Sequence, residues 1–129
     1  MTGHKTYQKI GNAGKLVSRG SYDLSVFRSV NILFENCRQT NDLNDENYWG
    51  IFGSNYSKNL VFEKCSLSRF DAHMGVYNAT IRNSTLGYMG IKLIGFGKFL
   101  IENSTIAGEN LVTLRQDYGS TWKGNFKIK

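Results

Sequence analysis

NLVFEKCSLSRFDAHMGVYN, residues 59–78, holds one copy of a pattern that recurs along the chain, together with its densest cluster of polar candidate-site residues. The opening NLVFEKC lines up with NILFENC at 31–37, ATIRNST at 79–85 and FLIENST at 99–105, and NFKIK at 125–129 reads as the start of a fifth copy. Apolar residues alternate within each copy: Ile32 and Phe34, Leu60 and Phe62, Ala79 and Ile81, Phe99 and Ile101. Alternation at period two is the mark of a strand with one buried face. Asn36-Cys37, Lys64-Cys65, Asn83-Ser84 and Asn103-Ser104 follow as the polar residues of a turn. Another apolar position comes next, at Leu67, Leu86 and Ile106. Gly50-Ile51, Gly75-Val76 and Gly90-Ile91 align as the start of a second strand, which NLVTLR continues in the last copy without the Gly.

Equivalent positions lie 28, 19 and 20 residues apart. No segment sustains a 3.6-residue period, and the Leu/Asn spacing of a leucine-rich repeat is absent. The pattern therefore predicts an all-β coil of short strands, each stacked on the same strand of the next rung. The chain resembles a right-handed parallel β-helix of the pectin lyase-like superfamily over residues 30–129, a solenoid of four to five rungs. The strings WGIFGSNY, SRFDAHMGVYNATI and RQDYGSTW look like segments of uncharacterised bacterial β-helix proteins. That superfamily spans lyases, hydrolases, esterases and adhesins, so fold alone is weak evidence of function. Residues 1–29 read as an irregular segment or an imperfect first rung, with Leu16, Leu24 and Phe27 expected inward and an extended start at 1–8.

The length suits one domain, and 40% apolar content suits a packed interior. No apolar run approaches the about 18 residues of a membrane span. MTGHKTYQK lacks the apolar core of a signal peptide. A β-helix is usually exported, and the chain stops inside an alternating strand without a cap. A segment of a larger secreted or cell-surface protein is therefore expected, with open ends suited to end-to-end or trimeric self-association. The 16 Lys and Arg against 10 Asp and Glu give a charge of +6, scattered rather than run together. Scattered Arg suits an acidic polysaccharide better than nucleic acid, because a guanidinium grips a carboxylate in a fork. An ordinary basic surface explains the same count.

Cys37 and Cys65 share one repeat position. Stacked rungs place them about 4.8 Å apart with parallel Cβ vectors, the wrong aim for a disulfide. Two free thiols are expected, in a ladder continued by Ser84 and Ser104. Without a nearby His pair they make no zinc site; no metal or cofactor is implied. Four N-x-S/T triplets, at Asn55, Asn78, Asn83 and Asn103, match glycosylation acceptors. For Asn83 and Asn103, stacking in successive turns is the simpler reading. The aligned glycines fit a bend at a strand entrance better than the close approach of a ligand.

Between the turn and the following Gly lie 12, then 9, then 5 residues. Extra residues in a solenoid are pushed outward and often make the binding face. The first two loops are expected to raise a wall, RQTNDLNDENYW and SLSRFDAH, beside a floor bearing Tyr88 and Lys92. A site along that step centres on Asp71 and His73 as catalytic residues. Arg69, Tyr48, Tyr88, Lys92, Arg115 and Asp117 would bind substrate, with Tyr118 and Trp122 farther along. A polysaccharide hydrolase needs two carboxylates, for which Asp71 with Asp42, Asp45 or Asp117 qualifies. A polyuronate lyase needs a base and a cation on the substrate carboxylate, for which His73, Arg69, Lys92 and Arg115 qualify. The plainer reading makes Asp71 a loop brace paired with Arg69, and His73 a ring stacked between Tyr48 and Tyr88. G-x-S-x-G, P-loop and HExxH motifs are absent. So are the superfamily's paired Asp and Gly-His-Gly, to which DAHMG is only faintly similar. Two function classes stand: a β-helix that binds or cleaves an acidic, uronate-containing glycan, and a purely structural segment of an adhesin or phage fibre.

Overall fold

The computed structural model of the chain describes residues 2–3, 24–39, 42–44, 52–116, 119 and 121–129, with the backbone alone at 2–3, 24–25, 52–54 and 73–74. These residues form ten strands: β1 (Thr2–Gly3), β2 (Leu24–Phe27), β3 (Val30–Glu35), β4 (Phe52–Asn55), β5 (Ser57–Glu63), β6 (Ser66–Arg82), β7 (Thr85–Glu102), β8 (Thr105–Ile106), β9 (Val112–Leu114) and β10 (Trp122–Ile128). Among the described residues no helix is long and apolar enough to cross a membrane.

Apart from the antiparallel pair β1–β2, every named pairing is parallel. Three ladders result. The first runs β3, β5, residues 76–82 of β6, residues 95–102 of β7, then β10. The second is short: Arg38, Ser66, Thr85 and Thr105, with Leu67, Leu86 and Ile106 beside them. The third runs β2, β4, residues 70–72 of β6, residues 91–93 of β7, then β9. Strands β6 and β7 thus pass through all three ladders, and the sheet curls around the core.

Phe34, Phe62, Ile81, Ile101 and Ile128 are successive register partners, so the fifth copy is present as β10. Phe34 and Phe62 stack at 4.8 Å, and the edge of Phe70 meets Phe62 at 5.1 Å. Phe99 continues the aromatic core towards Trp122, 5.8 Å away. Burying each such side chain contributes roughly 1.5–3 kcal/mol.

The corner between the first and second ladders repeats one conformation. Asn36, Lys64, Asn83 and Asn103 all have φ between 46° and 56°. Asn tolerates this left-handed region better than other residues with a Cβ. The Asn103 side-chain amide donates to Asn83 Oδ1 at 2.7 Å, stacking corner upon corner. A second column does the same inside the first ladder, where Asn59 donates to Asn31 and Asn78 to Asn59. Lys64 is the corner residue without that tolerance. Lys64→Asn should raise stability by about 1 kcal/mol, the lower end of the left-handed penalty. Denaturant melts would read this as a higher midpoint at unchanged slope; a lower midpoint would show that Lys64 contributes more than its backbone costs.

Cys37 and Cys65 are free. The column continues as expected: Cys65 N donates to Ser84 Oγ at 3.0 Å, and Ser84 N to Ser104 Oγ at 3.1 Å. Each of these serine hydroxyls in turn donates to the carbonyl two residues back. Burial pushes the Cys65 thiol up to about 11. In the native protein at neutral pH, alkylation without reductant should label Cys37 and spare Cys65; unfolding should expose both. Equal labelling of the native thiols would contradict the burial.

Two features depart from the sequence reading. Gly75 and Gly90 are not equivalent. Gly90 is the register partner of Arg69 in the third ladder, whereas Val76 pairs with Ser57 and Gly95 in the first. Gly50 lies outside the described residues. Consequently SRFDA is not a protruding loop but the third-ladder strand of its rung, because Phe70 and Ala72 are fully buried and belong to the core. Phe27 also points outward, 46% exposed, and Val26 takes the inward place. Leu16 lies outside the described residues.

Candidate functional site

Third-ladder register brings the polar cluster together. Asp71 pairs with Gly53 on one side and Lys92 on the other, and Lys92 pairs with Thr113. Phe70 and Ala72 point into the core, so the residue between them points the other way, as alternation dictates. Asp71 is nevertheless fully buried. Arg69 Nη2 donates to Asp71 Oδ2 at 2.8 Å, with the two side chains 4% and 1% exposed. Arg115, just past β9, extends the ladder by donating its backbone N–H to Leu93 O at 2.9 Å. Its Nη1 lies 3.1 Å from Asp71 Oδ1 and 3.3 Å from Oδ2. Both carboxylate oxygens therefore sit on guanidinium groups.

Lys92 Nζ donates to Thr113 Oγ1 at 3.2 Å. Burial pushes its ammonium below lysine's ordinary value; the charge of Arg69 pushes the same way, Asp71 opposes, and Arg115 adds to the depression. Among the described residues, three cationic side chains from three successive rungs thus gather around the Asp71 carboxylate. Arg115 remains 19% exposed and Lys92 partly exposed, so both side chains meet solvent.

The described residues of the first long loop pack on the rungs that follow it. Gln39 Oε1 accepts from Ser68 N at 3.0 Å. Farther on, a Cβ on Gly87 would lie 1.8 Å from Leu43 O, so the loop passes one rung and rests on the next. Asp42 caps its own turn, accepting from Asn44 N at 2.9 Å. The described part of this loop therefore lies across the rungs instead of standing as a wall.

Of the expected site residues, Arg69, Asp71, Lys92 and Arg115 come together. Tyr88 is exposed near the corner leading to Gly90, with Gly108 packed against its carbonyl. The backbone of His73 follows Ala72 in β6, between the third ladder and the first. Tyr48, Asp117, Asp45, Glu46 and Tyr118 lie outside the described residues, and so does any stacking of His73 between Tyr48 and Tyr88. Trp122 belongs to the core. Thr113, which holds Lys92, was not singled out by sequence; its place one rung beyond Lys92 was the available signal. Among the described residues no three His, Cys, Asp or Glu side chains converge as a metal site.

No protein-family model and no solved structure matches the chain. A curated relative, a KL64-specific capsule depolymerase of a Klebsiella phage, is 28% identical over 124 residues. The match covers 84% of this chain and 11% of that protein, so the chain spans about a tenth of the relative's length.

Proposed function

We propose that the chain is a segment of a right-handed parallel β-helix of the pectin lyase-like kind, acting outside the cell on an acidic capsular polysaccharide. In this reading residues 1–29 form the irregular start and residues 30–129 the solenoid. The observation that carries the proposal is the gathering of Arg69, Lys92 and Arg115 around Asp71. A carboxylate shared by two arginines fixes their direction, and Arg115 and Lys92 keep enough exposure to meet substrate carboxylates. The relative's action on a capsule supports the substrate class. Asp71, with both oxygens engaged, holds the arginines in place. Proton movement in a cleaving version falls to Lys92 or His73. A half-buried lysine whose ammonium is pushed below its ordinary value beside two guanidiniums is the candidate base, and elimination from a uronate needs a base next to a cation that stabilises the carboxylate.

Affinity electrophoresis through acidic and neutral capsular polysaccharides tests the reading. The parent should be retarded by acidic polymers, less so at high salt, and Arg115→Ala and Lys92→Met should run freely. Reducing-end release or ultraviolet absorbance of an unsaturated product then separates cleavage from binding. A second reading, a purely structural segment of an adhesin or phage fibre, is favoured by the near-complete burial of Arg69 and Asp71. Equal mobility of the parent in every polymer would select it.

A further inference from the structure

Two pairs of aromatic rings stand on the outside of the curled sheet on successive rungs, offset by two residues along the strands because Lys58, and not Tyr56, is the register partner of Tyr77. Phe27 and Tyr56 are 46% and 55% exposed, and their rings meet edge to face at 5.8 Å. On the next rungs Tyr77 and Phe96 are register partners with ring centroids 4.7 Å apart, and Phe96 is 55% exposed. Leaving large rings in water forgoes their burial energy, and exposed apolar rings gathered on one side of successive rungs mark an interaction surface.

Cations flank the row. Arg28 Cζ lies 5.0 Å from the Phe27 ring centroid, and Lys58 Nζ lies 5.3 Å from that of Tyr77. Lys123 is the register partner of Phe96 on the following rung. Among the described residues none of these three cations forms an ion pair. Glu63 on the strand of Lys58 and Glu102 on the strand of Phe96 stand at the far ends of those strands, Glu63 about 16 Å from Lys58 at strand rise. The Glu63 carboxylate is already engaged by Arg82 and Asn83.

We propose that this row is a binding subsite for an acidic glycan chain laid across the rungs, distinct from the Asp71 cluster. The idea rests on the acidic-polysaccharide reading above and adds a second contact surface to it. Rungs repeat at about 4.8 Å, close to the advance of one sugar unit in an extended glycan. Ring faces offer an apolar seat for the C–H face of a sugar, and the flanking ammonium and guanidinium groups meet its carboxylates. Charge complementarity selects an acidic occupant. Within each pair the rings already touch, which closes the gap that a stacked nucleic-acid base would enter there.

Calorimetric titration of the full chain with hexagalacturonate, neutral maltohexaose and a thymidine oligonucleotide tests this. The parent should bind the uronate and show at least tenfold weaker binding to the other two. Phe96→Ala and Lys58→Gln, both outside the core, should melt like the parent and weaken uronate binding at least tenfold. Survival of that binding within twofold in both variants overturns the proposal; if Arg115→Ala then abolishes it, the reading of the Asp71 cluster stands alone. If Phe96→Ala abolishes binding and Arg115→Ala does not, the row is the site and the cluster is not. Preference for the oligonucleotide, or no uronate binding by the parent, overturns the subsite.

Discussion

Phe62→Asp is expected to abolish the folded state. Phe62 is fully buried, stacked on Phe34 and touched by the edge of Phe70, with Ile81 as its partner on the next rung. The substitution removes an aromatic side chain, worth about 3–5 kcal/mol when truncated in a core. It also places a carboxylate where no described cation can reach it, at a further cost of several kcal/mol. The sum rivals the whole stability of a domain, about 5–15 kcal/mol. Circular dichroism should show a loss of strand signal and of the cooperative melt. Phe62→Leu, which keeps most of the volume, should remain folded. A Phe62→Asp variant melting like the parent would mean that the first ladder is in a different register.

Asp71→Ala should be the most damaging single change outside the aromatic core. It removes the carboxylate that Arg69 Nη2 contacts, while the guanidinium stays 4% exposed. Removing one partner of a buried ion pair costs about 3–5 kcal/mol, because the remaining charge stays in a poorly solvating place. Arg115, being more exposed, can turn to water at smaller cost. The double variant Asp71→Ala/Arg69→Met should recover most of the loss, since a buried pair replaced by apolar groups is often neutral. A denaturant series on the parent, the single variant and the double variant measures this directly. An Asp71→Ala midpoint equal to the parent's would show that the pair is solvated and the cluster open.

The parts of the fold that sequence made legible are those whose alternation is plain. Ile32 and Phe34, Leu60 and Phe62, Ala79 and Ile81 announce the first ladder, and the Asn-Ser corners close it because Asn accepts positive φ. The third ladder was hidden by its own chemistry. In SRFDA the apolar residues are Phe70 and Ala72, and Arg69 and Asp71 between them look like solvent-facing loop residues. They are buried because each neutralises the other, and a pairing between side chains is not written in hydropathy. That concealment turned a strand into an expected wall and misplaced Gly75 against Gly90. The polar cluster itself was legible as composition, since Arg69, Asp71, Lys92 and Arg115 recur at near-repeat spacing. Their mutual geometry, with Asp71 held between two arginines, depends on register shifts at Leu67/Arg69 and Ala72/Val76 that no single-sequence pattern marks. The outer rings of Phe27, Tyr56, Tyr77 and Phe96 also fall at near-repeat spacing, but in the irregular stretch before residue 30 Phe27 was expected inward.

The most direct test of the functional account is a two-dimensional NMR titration of the labelled chain with a uronate oligosaccharide, following backbone amides. Shifts that saturate together at Lys92, Thr113 and Arg115, and that vanish in Arg115→Ala while its spectrum elsewhere stays that of the parent, are the predicted result. Saturable binding that leaves those three amides unmoved would contradict it.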